Sequence, residues 1–248
     1  MGLLKINESL AIGETVRIEG EAMVRLHQRT RRVGDTFTIR DIDERDFRAR
    51  IVSESSLYCE AIVFEAFGAP VESPVDIHLL QGLPKKERLE WIIQKATELG
   101  VFSIVPFESE RSIILVERET PQPKAHRWQN IAVKAAQQCR RGRIPRVHTV
   151  LTFCDAIGLF RGSDLKLILW ERENCQGLHR VLTAHGVPKS IALAVGPEGG
   201  FSAHELEMAR QKGYTPVHLG QRILRTESAA IAATAVLQYQ FGDLGREP

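Results

Sequence analysis

Two segments of this 248-residue chain hold residue types that could do chemistry on a ligand. The first is Gly196-Pro-Glu-Gly-Gly-Phe201. Its three glycines tolerate positive φ and let the backbone approach a ligand closely. Its one acid, Glu198, would repel a phosphate but could accept from an amine or a base edge. No Gly-Lys-Ser/Thr follows, so this is not a Walker-type phosphate loop, and it is not a GxGxxG dinucleotide fingerprint. Alone, such a turn serves strand-to-helix geometry as readily as it serves a ligand. The second segment is Leu219-Gly-Gln-Arg-Ile-Leu-Arg-Thr-Glu-Ser228. Here Arg222, Arg225 and Glu227 crowd around the aliphatic pair Ile223 and Leu224. An aliphatic pair with a charged rim suits a planar, partly apolar ligand such as adenine. The same arginines could instead face water or a neighbouring subunit.

The elements that must position these segments are legible from periodicity. Near-continuous apolar runs at 191–195 and 165–170 predict strands buried on both faces of a parallel sheet. Further strands are predicted at 75–80, 101–107 and 217–219. Helices alternate with them. One spans 85–100, with Leu89, Ile92, Ile93, Ala96 and Leu99 on one face. Trp128, Ile131, Ala132, Ala135 and Cys139 trace the face of the next. Ser202-Ala-His-Glu205 is a capping box that opens a third, and 227–240 forms the last. Alternating strands and helices mean an α/β domain with a mostly parallel sheet. Ligands on such sheets collect at the C-terminal ends of strands, where both segments sit. Residues 1–72 have another texture. Short alternating segments at 15–18, 35–40, 48–52 and 58–64, punctuated by glycines, predict a small antiparallel β domain. The stretch 67–74, with Gly68, Pro70 and Pro74, reads as a linker into the second domain at 73–248.

Composition narrows the function classes. Apolar residues at 43% and charged residues at 26% exclude wholesale disorder. No apolar run is long enough to span a bilayer, and the first 20 residues carry no secretory pattern, so a cytoplasmic protein without a membrane partner is expected. Cys59, Cys139, Cys154 and Cys175 lie far apart with no CxxC, which argues against a metal ribbon and for ordinary thiols. The net charge of +2 is unevenly spread: residues 1–72 carry −3 and residues 73–248 carry +5. Residues 124–148 hold seven Lys/Arg and no acid. That run is either a solvated face or a contact for a polyanion.

Taken together, the two loops closely resemble the paired signature of the bacterial 16S rRNA (uracil-N3) methyltransferases, a branch of the SPOUT superfamily. Upstream, Lys95-Ala-Thr-Glu-Leu-Gly100, Val105-Pro-Phe-Glu-Ser-Glu-Arg-Ser112, Ala136-Gln-Gln-Cys-Arg-Arg141 and Ile144-Pro145 follow that family's order and spacing. The resemblance covers roughly residues 75–245. It is weaker in the first 70, where Gly34-Asp35 is kept but the segment before it, Arg25-Leu-His-Gln-Arg-Thr-Arg-Arg32, departs from the family pattern.

The resemblance implies a parallel sheet with a C-terminal trefoil knot, preceded by a small PUA-like β-barrel that binds RNA. It implies S-adenosyl-L-methionine (SAM) as cofactor, held by Leu169, Gly196, Glu198, Gly199, Leu219, Gly220, Ile223, Leu224 and Ser228. No metal is expected, because a sulfonium methyl is already activated. The implied substrate is one uridine of small-subunit rRNA, met in the assembled 30S subunit by a homodimer, with no DNA partner. Uracil N3 must lose its proton to attack a methyl group. The site should therefore hold a cation near O2 and O4 and a proton acceptor. Arg225 is the first candidate for the cation and Arg141 the second; Glu198 and Glu227 are the candidate acceptors. Arg29 and Arg31 of the small domain, with Lys134, Arg140, Arg143 and Arg146 of the basic run, are the candidate RNA contacts. Rival readings are a SPOUT enzyme acting on another RNA such as tRNA, and a catalytically silent RNA-binding assembly factor.

Overall fold

The structure is a computed structural model that describes residues 4–27, 32–55, 57–67, 72–84, 86–112, 122–171 and 175–246. The chain divides into two compact units, Met1–Val71 and Glu72–Pro248. Arg29 and Arg31 lie outside the described residues.

The first unit contains β1 (Leu4–Lys5), β2 (Thr15–Glu19), α1 (Gly20–His27), β3 (Thr36–Arg40), β4 (Asp46–Glu54) and β5 (Tyr58–Ala66). They form one five-stranded sheet in the order β1-β3-β4-β5-β2. All pairings are antiparallel except β1 with β3. Alternate residues face inward: Val16 and Ile18, Phe37 and Ile39, and Ala49 and Ile51 are buried together. Helix α1 is not foreshadowed by the alternation of its neighbours. It is eight residues long and contributes Met23 and Leu26 to the same core, three positions apart on one face.

The second unit runs β6 (Asp76–Gly82), α2 (Lys86–Glu98), β7 (Ser103–Glu108), α3 (Gln122–Gln138), β8 (Arg146–Val147), β9 (Leu151–Thr152), α4 (Phe153–Leu159), β10 (Leu165–Leu169), β11 (Gln176–Gly177), α5 (Leu178–Ala184), β12 (Ser190–Val195), α6 (Ala203–Gln211), β13 (Thr215–His218) and α7 (Thr226–Phe241). The eight strands pair in parallel, in the order β11-β13-β10-β12-β6-β7-β8, with β9 beside β7. Helices cover both faces, which is why the central strands read as unbroken apolar runs. Leu79, Leu167 and Leu193 join one core with Ile92, Ile93, Ala233 and Leu237. Their neighbours Leu80, Ile168 and Ala194 join the other, with Phe107, Phe153 and Phe201. Each fully buried Leu or Ile contributes about 1.5–3 kcal/mol by leaving water. The short helices α4 and α5 and the short strands β8, β9 and β11 are too brief to leave a periodic signal.

Sheet order decides where the ligand loops meet. Strand β13 lies beyond β10, yet α7, which follows it, packs on β6, β12 and α2. The segment between them must therefore carry the chain back past the ends of β10 and β12.

Candidate active site

Strands β13, β10 and β12 are neighbours and point the same way, so the loops leaving them open side by side. Those three loops enclose a cavity of about 400 Å³. Leu169 and Glu171 come from the first loop, and Gly196, Glu198 and Gly200 from the second. From the third come Leu219, Gly220, Ile223, Leu224 and Arg225. Arg88 of α2 completes the wall.

The second loop is built for close approach. Gly200 has φ +67°, a left-handed conformation that side chains rarely adopt. A Cβ on Gly82 below would stand 2.6 Å from Cδ of Pro197, so only glycine fits under the loop. Ser202 and Glu205 form the expected capping box. The Glu205 carboxylate is buried and accepts from Ser202 N (2.8 Å), Glu110 N (3.0 Å) and Ser109 Oγ (3.1 Å). It thereby ties the segment after β7 to the foot of the glycine loop. The second and third loops are joined by a buried chain of hydrogen bonds. Gln81 Nε2 donates to Thr226 Oγ1 at 2.9 Å, and that hydroxyl donates to the Gly196 carbonyl.

Several expected residues sit outside the cavity. Gly199 does not line it: its Cα packs on Arg111, and a Cβ there would stand 2.9 Å from Arg111 Cβ. Its φ is not positive, so the strained position of the turn is Gly200 and not Gly199. Ser228 is exposed on α7 and off the lining. Glu227 also lies behind the wall, yet it shares a partner with Glu198. Arg88 Nη1 stands 3.1 Å from Glu198 Oε1 and 3.7 Å from Glu227 Oε2, so one guanidinium faces both candidate acceptors. Sequence reasoning missed Arg88 because nothing local marks it; its partners are more than a hundred positions away in the chain.

Arg141, the second candidate cation, lies away from the cavity of its own chain. Its side chain is 7% exposed and forms a two-pronged pair with Glu72, at 2.7 and 3.3 Å. Its Nη1 also donates to the carbonyls of Thr97 and Val101, each at 2.9 Å. That guanidinium closes the C-terminal end of α2 and does not reach the cavity of its own chain. Arg141→Ala is expected to cost on the order of 3 kcal/mol of stability, since it strands a paired carboxylate. Urea unfolding measures this. An Arg141→Ala protein of parent stability that had lost turnover would return the residue to the reaction.

In the basic run, Lys134, Arg140, Arg143 and Arg146 are all exposed. Arg143 is partly committed: its Nη1 is 3.4 Å from Asp76, and its guanidinium carbon lies 4.7 Å from the centre of the Phe102 ring. Trp128, Ala132 and Ala135 turn the opposite face of α3 into the core.

A parallel α/β sheet with three strand-end loops around one cavity is the architecture of a ligand-binding α/β enzyme, and exposed basic residues lie on α3 and in the segment after it. Residues 71–238 match the RNA methyltransferase domain family. The ribosomal RNA small subunit methyltransferase E of Bacillus subtilis is 35% identical over 193 residues, covering 76% of this chain and 75% of that protein. The crystal structure of the Neisseria gonorrhoeae enzyme of the same name, bound to S-adenosyl methionine, superposes with a TM-score of 0.72 at 31% identity, covering 98% of this chain and 99% of that one. A Legionella pneumophila putative methyltransferase, also with bound SAM, gives 0.71 at 33% identity, with 98% of each chain covered. The chain belongs to the RNA methyltransferase family, in its ribosomal RNA small subunit methyltransferase E branch.

Proposed function

We propose that this protein is a SAM-dependent methyltransferase acting on N3 of one uridine in small-subunit rRNA, within the assembled subunit, as a cytoplasmic homodimer. The observation that carries the reading is the cavity itself: three strand-end loops with an aliphatic lining, side-chain-free glycines and an arginine at the wall with no ion-pair partner among the described residues. The cavity suits a nucleoside sulfonium. Leu169, Leu219 and Leu224 offer an apolar bed for a base, and Gly196 and Gly200 leave room for a chain to pass. We read the return of the chain to α7 as the closing pass of a trefoil knot, and the first unit as a PUA-like RNA-binding barrel.

When bound, SAM supplies a methyl group whose bond to sulfur breaks, leaving the electron pair on sulfur as the bond to N3 forms. The chain's own residues prepare the nucleophile. N3 lies on the Watson–Crick edge, so the uridine must be unpaired or flipped to enter. Glu198, which lines the cavity and is oriented by Arg88 at Oε1, takes the N3 proton. Arg225 has no hydrogen-bond or ion-pair partner for its guanidinium among the described residues. It is therefore available to the O2 or O4 oxygen on which negative charge grows.

The direct test incubates the purified protein with labelled SAM and, separately, assembled small subunits, free small-subunit rRNA and tRNA. Nucleoside mass spectrometry should show 3-methyluridine from the small subunits. Label in tRNA alone, or in another nucleoside, would overturn the reading. The route for RNA has its own test. Lys134→Glu with Arg146→Glu should weaken small-subunit binding far more than SAM binding. Each lost phosphate contact should lower the salt slope by about 0.7–0.9. Unchanged affinity and slope would leave the basic ridge as solvated surface.

A further inference from the structure

The charges around the cavity do not cancel evenly. Arg88 faces the carboxylates of Glu198 and Glu227, so those two acids share a cation. Glu171 differs. It lines the cavity from the first loop, it is exposed, and no Lys or Arg among the described residues lies within ion-pair distance of it. It lies against the second loop: a Cβ on Gly200 would stand 3.7 Å from Glu171 Oε1. The acid therefore stands against Gly200, the residue of the second loop that has a positive φ. Arg222 and Arg225 of the wall, which have no ion-pair partner among the described residues, belong to the third loop. Among the described residues the cavity thus carries an anion without an ion-pair partner between its first and second loops.

We infer that Glu171 is a specificity-determining residue that selects the charged methyl donor over its spent product. This rests on the reading of SAM as cofactor. The donor carries a sulfonium, an ammonium and a carboxylate, one net positive charge. After transfer, S-adenosylhomocysteine (SAH) keeps the ammonium and carboxylate but has a neutral thioether. An unmatched carboxylate in the wall attracts the first more than the second by one charge interaction, because charge is the main thing that changes between them. It favours loading of the donor and release of the product with no change of loop conformation.

The experiment is calorimetry on the parent and on Glu171→Gln, which keeps the shape and removes the charge. Three ligands are used: SAM, SAH, and an analogue with an ammonium-bearing carbon in place of the sulfonium. Glu171→Gln should lose about five- to ten-fold in affinity for SAM and for the ammonium analogue. Its affinity for SAH should stay within roughly two-fold of the parent, which also shows that the pocket is folded. The lost discrimination should match what high salt removes from the parent, as screening acts on the same term. Equal loss for all three ligands would make Glu171 a positioning residue, and no loss for any would remove it from the site; either overturns the inference. A parent that binds neither SAM nor SAH would instead sink the cofactor reading.

Discussion

Arg225→Ala is expected to slow methyl transfer about a hundred- to a thousand-fold while SAM affinity stays within roughly a few-fold. Removing one preorganised donor at a developing oxyanion costs about 2.7–4 kcal/mol of barrier. The guanidinium qualifies because Arg225 lines the cavity and its guanidinium has no hydrogen-bond or ion-pair partner among the described residues, so its donors are available to the substrate. Stability should barely move, since Arg225 is exposed and caps α7 only through its backbone, without a side-chain bond. Single-turnover rates with saturating SAM, alongside calorimetry, separate chemistry from binding. A variant that turns over near the parent rate would take Arg225 out of the mechanism, and one that fails to bind SAM would recast it as a cofactor ligand.

Gly200→Val should abolish detectable SAM binding. Two effects act together. At φ +67° a β-branched residue is strained by about 1–3 kcal/mol. In addition, the new side chain would project toward Glu171 into the space a ligand would occupy. Gly220 offers a comparison. It also has positive φ, at +125°, but nothing lies within 4 Å of a Cβ placed there. Gly220→Ala should therefore be the milder change, carrying strain without obstruction. If Gly200→Val bound SAM with parent affinity in a folded protein, the glycine turn would be architectural only.

How much of this was legible in the residues differs by element. The central strands and the long helices were, because burial on two faces or on one helical stripe forces a composition that shows in the chain. The capping box at Ser202 was, because its two hydrogen bonds span only three positions. The meeting of the three loops was visible only through family resemblance; nothing in Leu169 or Leu219 by itself announces that β10 and β13 are neighbours. The place of Arg141, away from the cavity of its own chain, was hidden for an instructive reason. It sits inside a basic run with a helix on one side and Pro145 on the other, and only the fold brings Glu72 to it. Gly199 and Gly200 were not separable in sequence, since either could have taken the positive φ. Arg88 had no signal at all: its neighbours Leu89, Ile92 and Ile93 define a core stripe and say nothing of the carboxylates that reach it from two other segments.

The return of α7 onto β6, β12 and α2 has a consequence for biosynthesis. Strand β6 ends at Gly82 and α7 begins at Thr226, so most of the second unit is translated before its first strand and first helix gain the last partner they pack against. At roughly 5–20 residues per second that interval is about 7–30 s. During it the apolar side chains of Leu79, Ile92 and Ile93 lack Ala233 and Leu237, with which they share a core. Thr226, the hydroxyl that locks Gly196 to Gln81, arrives at the same late moment. A nascent chain therefore has no complete cofactor pocket until its final helix has emerged and packed against β6, β12 and α2. Catalytic competence is withheld until synthesis is nearly complete, and the interval before it is when the chain is most exposed to aggregation and to chaperones.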